Sequence, residues 1–157
     1  MSISTKAGWL WLVAALAAGC SATPEASRQQ DAEAKLFESG PRSTVIYLYR
    51  ADSGSRGVST VWVDGRLVGQ TLPATYFRVI ARPGKNVIHA TGGDAGRLAI
   101  TTREGNVYFV SMHVIGEGEG ESSTTFRMVA PEAGEAAIRR CCTMLETWRP
   151  GQERLSF

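Results

Sequence analysis

The sequence predicts a mainly β protein: an antiparallel β-sandwich of about eight strands with one C-terminal α-helix. Three observations lead to this fold class. Short runs of β-branched and aromatic residues recur between residues 44 and 129, turn residues separate them, and helical chemistry begins at Pro131. Short strands that alternate regularly with turns are typical of a sandwich or barrel.

Eight segments carry the strand signal. The predicted strands are 44–50, 58–63, 66–71, 75–81, 85–91, 97–102, 106–115 and 122–129. The first of them is apolar at nearly every position, which indicates burial on both faces. Asp64-Gly65 predicts a two-residue hairpin, because the glycine tolerates positive φ.

The segment 131–146 is predicted to be a helix that packs on the sheet. Pro131 stands at its start, Glu132 lies in the first turn and arginines follow, an arrangement that complements the helix dipole. An apolar stripe at helical spacing would face the sheet, formed by Ala137, Cys141, Met144 and Leu145.

The N-terminus has the features of a bacterial export signal. Lys6 precedes about a dozen mostly apolar residues, too few for the roughly 20 of a membrane-spanning helix. The end of this segment, Leu16-Ala-Ala-Gly-Cys20, resembles the lipobox of bacterial lipoproteins. That resemblance implies that the Cys20 thiol receives a diacylglyceryl group and becomes the new N-terminus. Ordinary secretion is the alternative, since Ala15-Leu16-Ala17 also fits a general signal peptidase site.

These features divide the chain into five segments. Residues 1–19 are the predicted signal peptide, 20–43 the lipidated N-terminus with a polar tether, and 44–130 the sandwich. The helix occupies 131–147, and 148–157 form a tail. Ser21 follows the cysteine, and its resemblance to enterobacterial sorting signals implies the outer membrane, facing the periplasm of a Gram-negative bacterium.

Composition limits the classes of function. The formal net charge is +2 and falls by one when Lys6 leaves with the signal peptide, so no basic stripe for nucleic acid is expected. Beside Cys20 the chain has only Cys141 and Cys142, which as helix neighbours would point about 100° apart and not bridge without distortion. We expect one to pack in the core, with an intermolecular disulfide as the alternative.

A longer stretch of the chain resembles a domain of bacterial lipoproteins that is known only as a domain of unknown function. The similarity lies in Tyr47-Leu-Tyr-Arg50, Val61–Gly69, Tyr76-Phe77, Arg82-Pro-Gly-Lys85 and Tyr108-Phe-Val110. The Val-Asp-Gly, Val-Gly and Pro-Gly-Lys portions are also similar to PEGA-type domains, small β-sandwiches of surface and envelope proteins. The resemblance implies a fold and names no reaction.

Residues that could carry chemistry are few. His89 and His113 each stand alone on a strand, where hydrogen-bonded or half-exposed histidines are common, and Ser111 near His113 lacks an orienting acid in sequence. The acidic run Glu117, Glu119 and Glu121 alternates with glycines, so a mobile hairpin loop is favoured over a Ca²⁺ site. We therefore predict neither a catalytic group, nor a metal site, nor a cofactor.

The sequence favours a lipid-anchored envelope protein that binds or assembles rather than an enzyme. Its predicted partners are the membrane through Cys20 and an envelope protein or peptidoglycan. Trp62, Tyr76 and Arg78 are the candidate binding residues, with Trp148 as a further exposed aromatic. Arg78 would join Arg82, Arg97 and Arg103 in a basic stripe. Two alternatives remain: a binder of carbohydrate or peptidoglycan, and a hydrolase of cell-wall material.

Overall fold

Residues 23–91, 96–117 and 122–148 are described by a computed structural model. Within them nine strands form two sheets, and two helices cover one sheet. The elements in chain order are α1 (Arg28–Ala34), β1 (Thr44–Arg50), β2 (Ser59–Val63), β3 (Arg66–Thr71), β4 (Thr75–Ala81), β5 (Gly84–Ala90), β6 (Arg97–Thr102), β7 (Val107–Ile115), β8 (Ser123–Val129), α2 (Pro131–Cys141) and β9 (Thr143–Met144). The predicted mainly β fold with two sheets and a C-terminal helix is confirmed.

The larger sheet has the strand order β8-β7-β1-β4-β9, and two of its pairings are parallel. Strand β1 is antiparallel to β4 but parallel to β7, and β9 lies parallel to the start of β4. Parallel neighbours need a long connection. Between β1 and β7 the chain builds β4 and the whole second sheet.

The smaller sheet has the order β3-β2-β5-β6 and is antiparallel throughout. Its sharpest turn joins β2 to β3, where Asp64 and Gly65 have φ of 51° and 73°. Two consecutive positive φ values are those of the type I′ hairpin turn that matches strand twist. The Asp64 carboxylate also accepts the Val87 N–H at 2.7 Å, which ties the turn to β5.

Alternate residues of β1 face two different cores. Ile46 and Leu48 pack between the sheets, whereas Val45, Tyr47 and Tyr49 face the helices. All seven residues of β1 are buried, because the smaller sheet covers one face of the strand and the helices cover the other. This explains why β1 is apolar on both faces. The fold therefore has three layers: the smaller sheet, the larger sheet and the two helices.

Helix α2 is shorter than predicted and ends at Cys141. Strand β9 follows and pairs with the start of β4. The Thr143 N–H donates to the carbonyl of Ala74, just before β4, at 3.0 Å, and the Leu145 N–H, just after β9, donates to the Tyr76 carbonyl at 2.8 Å. These hydrogen bonds replace the ones that a longer helix would make within itself. Met144 and Leu145 consequently leave the predicted helical stripe.

The N-terminal segment is predicted to be a polar tether with a frayed helical turn or two over residues 26–36, and it instead forms helix α1 packed on the domain. Ser27 and Gln30 form a capping box that begins α1. Ala34 and Phe37 are buried on the helical side of the larger sheet. Burial of these apolar side chains explains why a mostly polar segment is held against the domain. Among the described residues, neither helix has the length and apolar character required to cross a bilayer.

Candidate functional site

A groove of about 600 Å³ opens at one edge of the sandwich. It lies between the β2–β3 hairpin and the outer edge of β4. Strand β9 pairs only with Thr75 and Tyr76 of β4, and beyond Leu145 the chain crosses to β3, where Trp148 N–H donates to the Val68 carbonyl at 2.8 Å. The groove forms where the chain leaves β4.

The groove is lined by large apolar and aromatic residues together with arginines. Trp62 and Trp148 contribute indoles, Leu67 and Ile80 aliphatic surface, and Arg66 an exposed positive charge. Ile80 is 59% exposed. A concave apolar surface with a few polar groups is the usual form of a binding site.

The Trp62 indole has a defined orientation on the outer face of the smaller sheet. It is half-buried and stacks on the His89 imidazole, with ring centroids 5.1 Å apart and planes 7° from parallel. Since β2 and β5 pair Trp62 with His89 directly, this contact is fixed by strand register. Among the described residues, no group of three or more potential metal ligands occurs, and His89 serves here as a packing surface for Trp62.

Tyr76 lies elsewhere and is fully buried, so it offers no surface to an external ligand. The prediction of an exposed aromatic ring is wrong at this position, because α1 and β9 cover this part of β4. The Tyr76 hydroxyl donates to Asp31 Oδ1 at 2.9 Å. Burial, followed by the interaction with Asp31, raises the pKa of Tyr76 well above its ordinary value.

Arg78 lines the groove together with Trp62, but it is half-buried on the helical side of β4 and its guanidinium is engaged within the fold. Its Nε donates to the Tyr47 hydroxyl at 3.2 Å and its Nη2 to the Glu38 carbonyl at 3.0 Å. Arg97 lies on β6 of the other sheet. The predicted basic stripe is therefore wrong, because its members belong to different sheets.

Asp31 joins the N-terminal helix to the domain. Its carboxylate accepts hydrogen bonds from Tyr76, from the Met144 N–H at 2.9 Å and from Lys35 Nζ at 2.7 Å. Burial alone would raise the pKa of Asp31, but these hydrogen bonds and the Lys35 charge outweigh burial and hold it below 3.8. Sequence inspection did not identify this role, since Asp31 lies in a segment without strand or core signal.

The N-terminal backbone runs toward the groove. Residues 24–26 lie antiparallel to 144–146 through a bridge and backbone hydrogen bonds of 2.8–2.9 Å. Thr23 precedes this run, and its side-chain hydroxyl accepts the Gln70 N–H at 2.8 Å. In an antiparallel pair, moving back from residue 26 to 23 follows the direction from 144 to 147. At Thr23, the first described residue, the backbone therefore points toward the side of the domain on which Trp148 lies.

Arg50 is a buried cation that sequence inspection missed. Its side chain is 0% exposed, and its two Nη atoms donate to the carbonyls of Gly57 and Ser55 at 2.6 Å. Its Nε has no hydrogen-bond partner within the described part of the chain, and burial lowers the pKa of the guanidinium, against a smaller opposing effect of the Asp52 charge. These bonds organise the loop after β1. Arg50 is not one of the residues that line the groove.

The remaining candidates occupy separate places. His113 is exposed on β7 and Ser111 donates to the Arg127 carbonyl at 3.4 Å. Glu117 is exposed at the end of the β7 region, whereas Glu119, Glu121 and Cys20 lie outside the described residues.

The two adjacent cysteines are joined in a disulfide, Cys141–Cys142. The expectation that they would not bridge is wrong. Its reason is visible in the backbone: the helix ends at Cys141, and Cys142 has extended φ and ψ of −128° and 141°, so the 100° helical separation does not apply. Cys142 is buried against β1, with its Sγ 3.7 Å from the Arg50 carbonyl oxygen.

Comparison with known proteins provides one distant relative. An uncharacterized protein of Haemophilus influenzae is 26% identical over 132 residues, which cover 82% of this chain and 77% of that protein. No family model matches, and no solved structure matches. The similarity to PEGA-type domains and to lipoproteins stays a prediction.

Proposed function

We propose that this chain is a lipid-anchored protein of the bacterial envelope whose domain acts by binding. The leader and Leu16–Cys20 support the anchor, and Ser21 supports the outer membrane. The observation that carries the binding role is the groove, which is lined by two tryptophans, aliphatic residues and the exposed Arg66. Indoles at interfaces combine apolar contact with a polar N–H, and arginine recognises anions.

The anchor is tested with Cys20→Ala. The unsubstituted protein should fractionate with membranes, and its first residue should carry lipid mass. The variant should appear in the soluble periplasmic fraction. A soluble unsubstituted protein that begins at Ala18 with no added mass would contradict lipidation.

Binding at the groove is tested by crosslinking in cells. A photoreactive amino acid at position 67 should give specific adducts, because Leu67 lines the groove. The same amino acid at position 101 is the control, since Thr101 is exposed on β6 at the far edge of the sheet. Equal adduct patterns from the two positions would contradict a binding role for the groove.

A second candidate function is binding of peptidoglycan or another carbohydrate. It is favoured by the stacked Trp62–His89 pair, since planar aromatic faces are suited to sugar rings. Purified peptidoglycan should then sediment the protein, and Trp62→Ala should reduce the bound fraction at least threefold. Absence of co-sedimentation would remove this candidate.

A further inference from the structure

The groove lies next to the point where the anchor would leave the domain. Cys20 precedes Thr23 by three residues, a distance of about 10 Å at full extension. The backbone at Thr23 points toward Trp148, which borders the groove. If Cys20 carries the lipid, the groove cannot stand far from the bilayer surface.

The chemistry of the groove fits that surface. Trp62 and Trp148 are amphipathic rings of the kind that reside at the headgroup level of membranes. Leu67 and the 59% exposed Ile80 provide apolar contact, and Arg66 provides a charge for phosphate. Among the described residues that line the groove, no aspartate or glutamate opposes an anionic headgroup.

We propose that the groove docks onto the anionic phospholipid headgroups of the membrane that holds the Cys20 anchor. This inference rests on the proposed lipid anchor and specifies what the groove binds. The domain then lies against the bilayer instead of being suspended above it. Its opposite edge, formed by β6, faces away from the lipid.

Tryptophan fluorescence reports selectively on this surface. The chain has four tryptophans, of which Trp9 and Trp11 precede Cys20 and are lost with the signal peptide. The two that remain, Trp62 and Trp148, both line the groove. The lipidated protein is purified and reconstituted in vesicles of phosphatidylethanolamine and phosphatidylglycerol, with or without lipids brominated near the headgroup.

We expect shallow brominated lipids to reduce the emission at least twofold, and Trp62→Phe and Trp148→Phe to assign the contribution of each indole. Arg66→Glu should remove most of this quenching while the protein stays attached. Arg97→Glu is the matched control, because it makes the same change on an exposed arginine of β6 at the other edge of the sheet. It should leave the quenching unchanged.

Several results would overturn the proposal. One is unquenched emission from a protein whose mass and fractionation prove the anchor. Another is equal quenching in Arg66→Glu and Arg97→Glu, and a third is quenching by deeply brominated chains alone, which would place an acyl chain in the groove. If the mass shows no lipid, the proposed anchor fails, and docking is judged by flotation: unlipidated protein that does not float with phosphatidylglycerol vesicles refutes it.

Discussion

Replacement of Gly134 by alanine should destabilise the protein, although alanine is the better helix former. Gly134 is buried in α2 where the helix crosses the larger sheet. A Cβ at this position would lie less than 3.0 Å from three atoms of the Phe109 side chain, including its Cβ and Cγ. These atoms are the rigid base of the ring, so a change of rotamer does not relieve the clash.

Phe109 has little freedom to move away. It is 1% exposed, stacks on Tyr47 at 5.2 Å and meets the edge of Phe37 at 5.4 Å. Overpacking of such a core costs about 1–3 kcal/mol, whereas the helix propensity of alanine returns at most about 1 kcal/mol. Because all three contacts lie well under 3.0 Å, the overpacking cost falls in the upper part of its range, and we expect a net loss of about 1–2 kcal/mol in the free energy of unfolding.

Urea unfolding followed by circular dichroism measures this difference. The Gly134→Ala variant should unfold at lower urea than the unsubstituted protein, with the same dependence on denaturant. Ala136→Gly is the control, because Ala136 is exposed in the same helix and its replacement costs only propensity, about 1 kcal/mol. A Gly134→Ala variant as stable as the parent, or more stable, would refute the close helix–sheet contact.

Three further substitutions and one mass measurement test other parts of the structure. Gly65→Val should lower the free energy of unfolding by about 1–2 kcal/mol, because a valine is strained at φ of 73°. A Cβ there would meet no described atom within 4 Å, so the loss comes from the backbone, and an unchanged melting temperature would contradict the turn. Arg50→Met should cost about 3 kcal/mol by leaving buried carbonyls without donors, as measured by urea unfolding. The pKa of Asp31 is held below 3.8, so its stabilisation is complete above that pH and is lost as pH falls through the lowered value. Melting temperatures of Asp31→Asn should accordingly vary less with acid pH. Without reductant, the intact mass should show the Cys141–Cys142 disulfide as a loss of two hydrogens, and two free thiols would disprove it.

Local chemistry was enough to predict most strands and the Asp64-Gly65 turn. Alternation and turn residues act over a few positions, and the structure places β1, β3, β4 and β6 at their predicted bounds. The same information predicted α2 but not its end at Cys141, where pairing with β4 overrides local helical preference. The local sequence pattern therefore predicts that a strand or helix exists better than it predicts the residue at which the element ends.

The candidate site depended on contacts that no local pattern contains. Trp62 was identified from alternation along β2, and Trp148 only as an exposed aromatic near the end of the chain. Tyr76 has the same strand chemistry as Trp62, yet α1 and β9 bury it. The parallel pairing of β1 with β7 and the Asp31 network likewise join residues distant in sequence, which is why neither was predicted.

The bond between Asp31 and the Met144 N–H spans 113 residues and has a consequence for the order of folding. Synthesis delivers the N-terminus first, so α1 emerges long before strand β9, which contributes the Met144 N–H. The central strand β1 likewise pairs with β7, which is synthesised much later, and pairings between strands distant in sequence make folding slow. A nascent chain that ends before residue 144 therefore lacks one of the hydrogen bonds that hold Asp31, and with it the β9 contacts of the first helix. The domain can therefore complete its fold only after nearly the whole polypeptide has been synthesised.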